Sequence, residues 1–265
     1  MLTFVGLGLY DERSITIEGR DVIREADRVF AERYTSRLVG ASIEDVESYH
    51  GIDVDVRDRA GVEGDPEPIL DAAENHDVAF LTAGDTMIST THVDLRLRAH
   101  DRGIDTRIVH GTTAQTAASS LTGLQNYRFG KATTLPFEYA HGGDGVPESV
   151  RETIDDNADR GLHTLVYLDI KVDGPERPTD APDETYMSAT TAADSLSAHY
   201  PDRLGVVVAR AGSPEPLVEA DTLSALANRT FGDPLHLLVI PGELHPIEAE
   251  ALVSLADAPA SILDG

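Results

Sequence analysis

The sequence predicts an α/β protein made of two α/β domains, and three observations carry that expectation. Short apolar runs suited to buried strands recur along the chain, helical apolar spacing separates several of them, and the pattern restarts after a segment of small residues near position 111. At 265 residues the chain is long for one domain and can bury a substantial core in each of two. The expected division is 1–111 and 112–265.

The first strand is expected at 2–5 and is broken by Gly6 and Gly8, with a helix following at once and its apolar spacing running through Val22, Ile23, Ala26 and Val29. Two glycines in such a turn permit positive φ and close approach of a ligand. Further strands are expected at 28–32, 78–82 and 107–110, completing the first half. The small-residue segment 112–120 then leads into a second set at 132–135, 164–170, 205–209 and 235–240. Residues 147–160 read as a helix, with Pro147 at its start and Gly161 as its stop. The acidic, proline-rich stretch 173–184 reads as a solvated loop, and Gly142, Gly143 and Gly145 mark a second flexible one.

Composition narrows the function. The chain has no cysteine, which excludes disulfides, thiolate catalysis and thiolate metal sites. No apolar stretch approaches the length of a membrane span, and the opening strand follows no charged, apolar and cleavable leader, so a cytoplasmic protein with no membrane partner is expected. Net charge is -26, from 47 acidic against 21 basic residues, and Lys131 and Lys171 are the only lysines. Such a surface repels phosphate backbones, so no nucleic acid is expected as direct substrate. Acids scattered over the whole chain, with arginine preferred to lysine, point to a halophilic source, where concentrated salt screens the self-repulsion.

Four strand ends carry small or polar residues where open α/β sheets place ligands: Gly84-Asp-Thr-Met87, His110-Gly-Thr-Thr113, Leu168-Asp-Ile-Lys171 and Arg210-Ala-Gly-Ser213. The Gly6-x-Gly8 turn also opens a dinucleotide fingerprint, with Glu32 at the position of a ribose-binding acid. Asp11 stands where the third glycine belongs, and it places a negative charge where pyrophosphate would sit. A nicotinamide-dependent oxidoreductase stays open at this point. Glu243, His245, Glu248 and Glu250 suggest a metal, but Pro246 reads as a helix start with acids in its first turn, and no metal is expected. Ser120 and Ser213 lack a histidine and an acid at recognisable spacing, so a hydrolase triad is not supported.

The segments Gly6-Leu-Gly-Leu-Tyr-Asp11 with Thr16, Gly84-Asp-Thr-Met-Ile-Ser-Thr-Thr-His92 followed by Asp94-Leu-Arg-Leu97, His110-Gly-Thr-Thr113, and Phe231-Gly-Asp-Pro-Leu-His236 through Pro241-Gly-Glu-Leu-His245 resemble the diphthine synthases, a branch of the tetrapyrrole methylases. The resemblance spans nearly the whole chain. Relatives acting on corrinoid precursors read Gly-x-Gly-Pro-Gly-Asp at the first turn; Leu9-Tyr10-Asp11 here points to the diphthine branch. The resemblance implies two α/β domains with S-adenosyl-L-methionine held in a cleft between them, and transfer of methyl groups to the amino group of a 3-amino-3-carboxypropyl-histidine in translation elongation factor 2. It implies a homodimer. It places cofactor contacts on Leu9, Asp85, Ile88, Thr113, Ala114, Leu168, Ala211 and His236.

Two positions depart from the family pattern. Thr86 replaces a proline, and Ala114 is smaller than the expected isoleucine, which widens the adenine side of the site. No general base is nominated. Lys171 and Arg210, both at strand ends, are candidates either to hold a substrate carboxylate or to form structural ion pairs. A corrinoid-precursor methyltransferase and a non-catalytic binding module are the other readings kept alongside.

The charge balance predicts that thermal stability rises strongly as KCl increases from dilute to molar concentration. Melts across a salt series check this; a midpoint that stays flat or falls with salt contradicts it.

Overall fold

A computed structural model describes residues 1–142, 145–172 and 184–261. The chain divides into two compact units, Met1–Thr113 and Ala114–Gly265, two residues beyond the division expected from sequence. Among the described residues no helix is long and apolar enough to cross a membrane.

In the first unit, β1 (Leu2–Gly6), β2 (Arg28–Glu32), β3 (Val54–Arg57), β4 (Val78–Thr82) and β5 (Thr106–Val109) form a sheet in the order β3-β2-β4-β1-β5, parallel throughout. Central strands are buried on both faces, which is why β1 and β4 read as continuous apolar runs. Alternate residues feed opposite layers. Leu2, Phe4, Phe30 and Phe80 pack with Ile69 and Leu70 of α3 (Glu67–Asn75) and Leu95 and Ala99 of α4 (Val93–Asp101). Val5, Val29, Ala31 and Leu81 pack with Ile23 of α1 (Ile17–Glu25) and Val46 of α2 (Ile43–His50).

The first helix differs from expectation at both ends. It begins nine residues after the second glycine, because Ser14 and Asp11 close a turn of their own. Ser14 Oγ accepts from the backbone N–H of Asp11 at 3.0 Å and donates to Asp11 Oδ1 at 3.0 Å. Thr16 then caps the helix by accepting from Gly19 N at 3.0 Å. It ends at Glu25, and Val29 belongs to β2. β3 went unread because a short edge strand alternating valine with charge offers little apolar signal.

The second unit begins with α5 (Ala114–Thr122) and builds a sheet from β6 (Thr133–Leu135), β7 (Thr164–Leu168), β10 (Leu204–Ala209), β11 (Leu217–Thr222) and β12 (His236–Ile240). A separate ribbon pairs β8 (Ile170–Val172) with β9 (Glu184–Tyr186). The sheet order is β11-β10-β12-β7-β6, parallel between β6 and β7 and antiparallel elsewhere. One face packs on α6 (Glu148–Ala158), α7 (Ala189–Ser197) and the short α8 (Leu223–Leu226); the other packs on α5 and α9 (Pro246–Leu255).

The run expected as one strand over 164–170 breaks at Asp169. Its N–H donates to Leu135 O, its carbonyl accepts from Met187 N at 3.0 Å, and its carboxylate accepts from Phe137 N at 2.9 Å. β11, with its polar half, was not expected. Most of the acidic loop expected at 173–184, together with Gly143, lies outside the described residues; Gly142 and Gly145 both take positive φ.

A buried polar cluster anchors α9. Glu248 and His163 are both fully buried, and His163 Nε2 donates to Glu248 Oε1 at 3.1 Å. His163 Nδ1 accepts from Gly242 N at 3.0 Å, which fixes the neutral tautomer. Glu248 also accepts from Gln125 N and His245 N, each at 2.8 Å, and lies 3.4 Å from Arg128. Burial depresses the His163 imidazole below its ordinary value. For Glu248 burial opposes ionisation, but the two backbone N–H groups and His163 outweigh it and hold the carboxyl below the usual carboxylate value.

Both shifts give stability the same slope with pH. Stability is full above the ordinary histidine value of about 6.5 and falls as acid forces a charge onto His163. The Glu248 contribution is present above its ordinary value of 4.5 and is lost as pH falls through the lower folded value. Glu248→Gln should remove that lower limb from a stability-versus-pH curve while the histidine limb persists, because losing the carboxylate disfavours charged His163 further. At neutral pH it should cost about 1–3 kcal/mol in denaturant unfolding, because the amide nitrogen cannot accept from a backbone N–H.

Candidate active site

The ends of β1, β4 and β5 meet in a backbone junction. A Cβ on Gly6 would stand 2.5 Å from Gly84 O and 2.6 Å from Gly111 N, and one on Gly111 would stand 2.1 Å from Gly84 O. These are backbone atoms, so only glycine fits. Gly8 and Gly84, both at positive φ, then exchange backbone bonds, Gly8 N to Gly84 O at 3.2 Å and Gly84 N to Gly8 O at 2.6 Å. The turn that opens the chain is thereby joined to the loop after β4.

Asp85 is 4% exposed and carries the junction's charge. Its Oδ1 accepts from Met87 N at 2.9 Å, and its Oδ2 accepts from His110 Nδ1 at 2.7 Å and from Gly111 N at 3.2 Å. A carboxylate has about four acceptor sites. Three are engaged within the protein, so Asp85 acts first as the anchor of the loops after β4 and β5. Thr86 is fully buried. Its carbonyl accepts from Thr90 Oγ1 at 2.6 Å and from His92 Nδ1 at 3.0 Å, bonds that hold the loop where the family proline is missing. The Thr86 hydroxyl is buried and has no partner. Ile88, on the same loop, is 42% exposed.

The structure therefore brings Leu9, Asp85 and Ile88 to one edge of the first sheet, and Thr113 closes that unit. Ala114 begins α5 in the second unit. There Leu168, Ala211 and His236 share one edge of the second sheet. Leu168 ends β7 and Ala211 follows β10, but His236 begins β12. The antiparallel pairing of β12 with both neighbours, with His236 opposite Ala209, puts its amino end beside their carboxyl ends. His236 is buried, its Nδ1 accepts from Ala189 N at 3.0 Å, and burial lowers its pKa, so it stands neutral with that lone pair spent.

Lys171 pairs with Asp169 at 3.6 Å, the structural alternative open for it from sequence. Arg210, at φ 53°, donates from Nε to Glu215 O at 3.2 Å and from Nη1 to Phe231 O at 3.4 Å, which braces the loop after β10. Glu32, the ribose-binding acid of the dinucleotide reading, is 4% exposed and accepts from the backbone N–H groups of Tyr34 and Thr35 at 2.8 and 2.9 Å. It is committed to its own turn, and burial pushes its carboxyl up. His245 and Glu248 are joined in the capping box of α9. His110 opens one of the four candidate strand ends, but the sequence assigned it no contact of its own. The missing signal was the strand order, which sets β4 and β5 on either side of β1.

The profile of the Tetrapyrrole (Corrin/Porphyrin) Methylases matches residues 1–227. The chain is 72% identical to the diphthine synthase of Haloarcula marismortui over 97% of its own length and 99% of that protein's. It is 69% identical to the diphthine synthase of Halorubrum lacusprofundi over the whole of both. A crystal structure of diphthine synthase superposes with a TM-score of 0.88 at 37% identity, covering 99% of this chain and 98% of that one. The oxidoreductase reading falls with these findings and with the commitment of Glu32 to its turn. A parallel sheet ending in a glycine junction, a second sheet that turns β12 to present His236, and likeness to these enzymes along the full length agree: the chain is a methyltransferase of the tetrapyrrole methylase family, within its diphthine synthase branch.

Proposed function

We propose that the protein transfers methyl groups from S-adenosyl-L-methionine to the amino group of a 3-amino-3-carboxypropyl-histidine in translation elongation factor 2, forming diphthine. The observation that carries this reading is identity of 65–72% with diphthine synthases of halophilic archaea over essentially the full length. The Leu9-Tyr10-Asp11 turn supports it. A working homodimer in the cytoplasm belongs to the same reading.

The residues present suit a sulfonium cofactor. Such a molecule carries a charged amino acid end, a ribose and an adenine, and calls for backbone groups, hydroxyls, a carboxylate and apolar walls rather than a phosphate cradle. The first unit offers the unpartnered buried hydroxyl of Thr86, the remaining acceptor site of Asp85, and the apolar side chains of Leu9 and Ile88. Thr113 would add a contact in the first unit, and Ala114, Leu168, Ala211 and His236 in the second. When bound, the cofactor supplies a methyl carbon made electrophilic by its positive sulfur. The chain's part is to hold that carbon and the incoming amine in line, keep water away, and accept a proton from the amine, which is a nucleophile only when unprotonated.

Incubation with S-adenosyl-L-methionine in high salt, followed by mass spectrometry, tests the substrate. Methyl additions are expected on elongation factor 2 whose histidine carries the aminocarboxypropyl group and on no unmodified factor. Equal labelling of both, or labelling of corrinoid precursors with neither factor touched, contradicts the assignment. Asp85→Ala should weaken S-adenosylhomocysteine binding roughly 10- to 100-fold in titration calorimetry, because the loops after β4 and β5 lose their common anchor along with a hydrogen bond to a charged group.

A further inference from the structure

We propose that His110 is the general base that takes the proton from the substrate amine, held for that task by Asp85. The inference rests on the methyl-transfer reading above and adds to it a catalytic residue.

His110 lies directly after β5, and its Nδ1 is 2.7 Å from Asp85 Oδ2. A carboxylate already accepting from Gly111 N accepts here too, so Nδ1 carries the hydrogen and the lone pair is left on Nε2. Exposure is divided sharply between the partners: the Asp85 side chain is 3% exposed and the His110 side chain 75%. A buried acid thus fixes the tautomer and orientation of an open imidazole. Among the described residues Asp85 is the only charged group bonded to His110, and no described residue bonds Nε2. This is the base-and-orienter half of nucleophile-activating sites, recognised by geometry rather than by position in the chain.

The other bases at the strand ends are occupied. His236 spends its Nδ1 lone pair on Ala189 N, Asp169 is engaged by Phe137 N and Lys171, and Arg210 braces backbone carbonyls. His92 is 1% exposed and packs edge-on against Phe80 and Tyr34 in the core.

The chemistry requires such a group. Each methyl added to an amine calls for removal of one proton first, because the ammonium has no lone pair. The proton passes to His110 Nε2, the freed pair forms the N–C bond, and the pair of the breaking S–C bond stays on sulfur. The imidazolium then stands against the Asp85 carboxylate until it releases its proton to water, and the cycle repeats for any further methyl.

Two measurements on the full chain in molar KCl test the proposal. In nitrogen-15 NMR of the unliganded protein, His110 should show the Nδ1–H tautomer, and Asp85→Asn should abolish that preference. In single-turnover methylation of modified elongation factor 2, His110→Ala and His110→Gln should lose about 10²–10⁴ in rate near neutral pH. The loss should shrink as pH rises toward ionisation of the amine itself, and added imidazole should restore part of the His110→Ala rate. S-adenosylhomocysteine affinity should stay within about threefold of wild type. An Nε2–H tautomer in the wild type, variants that keep the wild-type rate and pH profile, or a rate loss matched by an equal loss of affinity would each overturn the role of His110 while leaving the methyltransferase intact. A wild-type protein that methylates no modified factor would overturn the functional reading and this proposal with it.

Discussion

Two glycines with no room for a Cβ and a third at positive φ organise the first unit. Gly6, Gly84 and Gly111 bring the ends of β1, β4 and β5 into backbone contact: a Cβ on Gly6 or Gly111 would collide with backbone, and Gly84 takes a positive φ. In the strand order β4-β1-β5 the two outer strands are separated by a whole strand. Without side chains on β1 and β5 at this level, the extensions of β4 and β5 close over the end of β1, and Asp85 can bond both Gly111 N and His110. The anchor, the oriented histidine and the buried hydroxyl of Thr86 all follow from that contact.

The second unit reaches a similar concentration of strand ends by another route. Its sheet is mostly antiparallel, so its ends are gathered by reversing one strand instead of by running all strands together. Leu168 and Ala211 leave carboxyl ends, while His236 enters at an amino end on the same edge. The opposite end is tied down by Glu248, whose four partners come from the segment after α5, the loop before β7 and the cap of α9. Buried polar clusters of this kind hold a geometry only when every member is satisfied, and here the carboxylate and both nitrogens of His163 are.

Charge is handled by sharing. With acids outnumbering bases by more than two to one, single arginines serve several carboxylates: Arg102 meets Glu67, Asp71 and Glu74, and Arg229 meets Glu219 and Asp221. Exposed pairs of this type contribute little individually and are screened by salt. The Asp85–His110 pair is of another kind, since Asp85 is buried and its partner is a histidine rather than an arginine. This buried acid is thereby set apart from the many that only face solvent.

The sequence by itself determined the α/β class, most strand positions and the glycine-marked ends of several strands, because apolar runs and glycine punctuation are local signals. It located β2 and β4 at their observed limits, and α9 with Pro246 at its start. It also carried the resemblance that names the family. What it left undecided depends on which strands are neighbours. The edge strands β3 and β11 lack a strong apolar pattern because charged residues interrupt their valines and alanine, and the break at Asp169 is made by partners at positions 135, 137 and 187. Asp85 and His110 lie 25 residues apart, and nothing between them announces a bond. Only the tertiary structure, by folding β1 between their strands and removing every Cβ from the gap, turns two separate residues into an oriented pair.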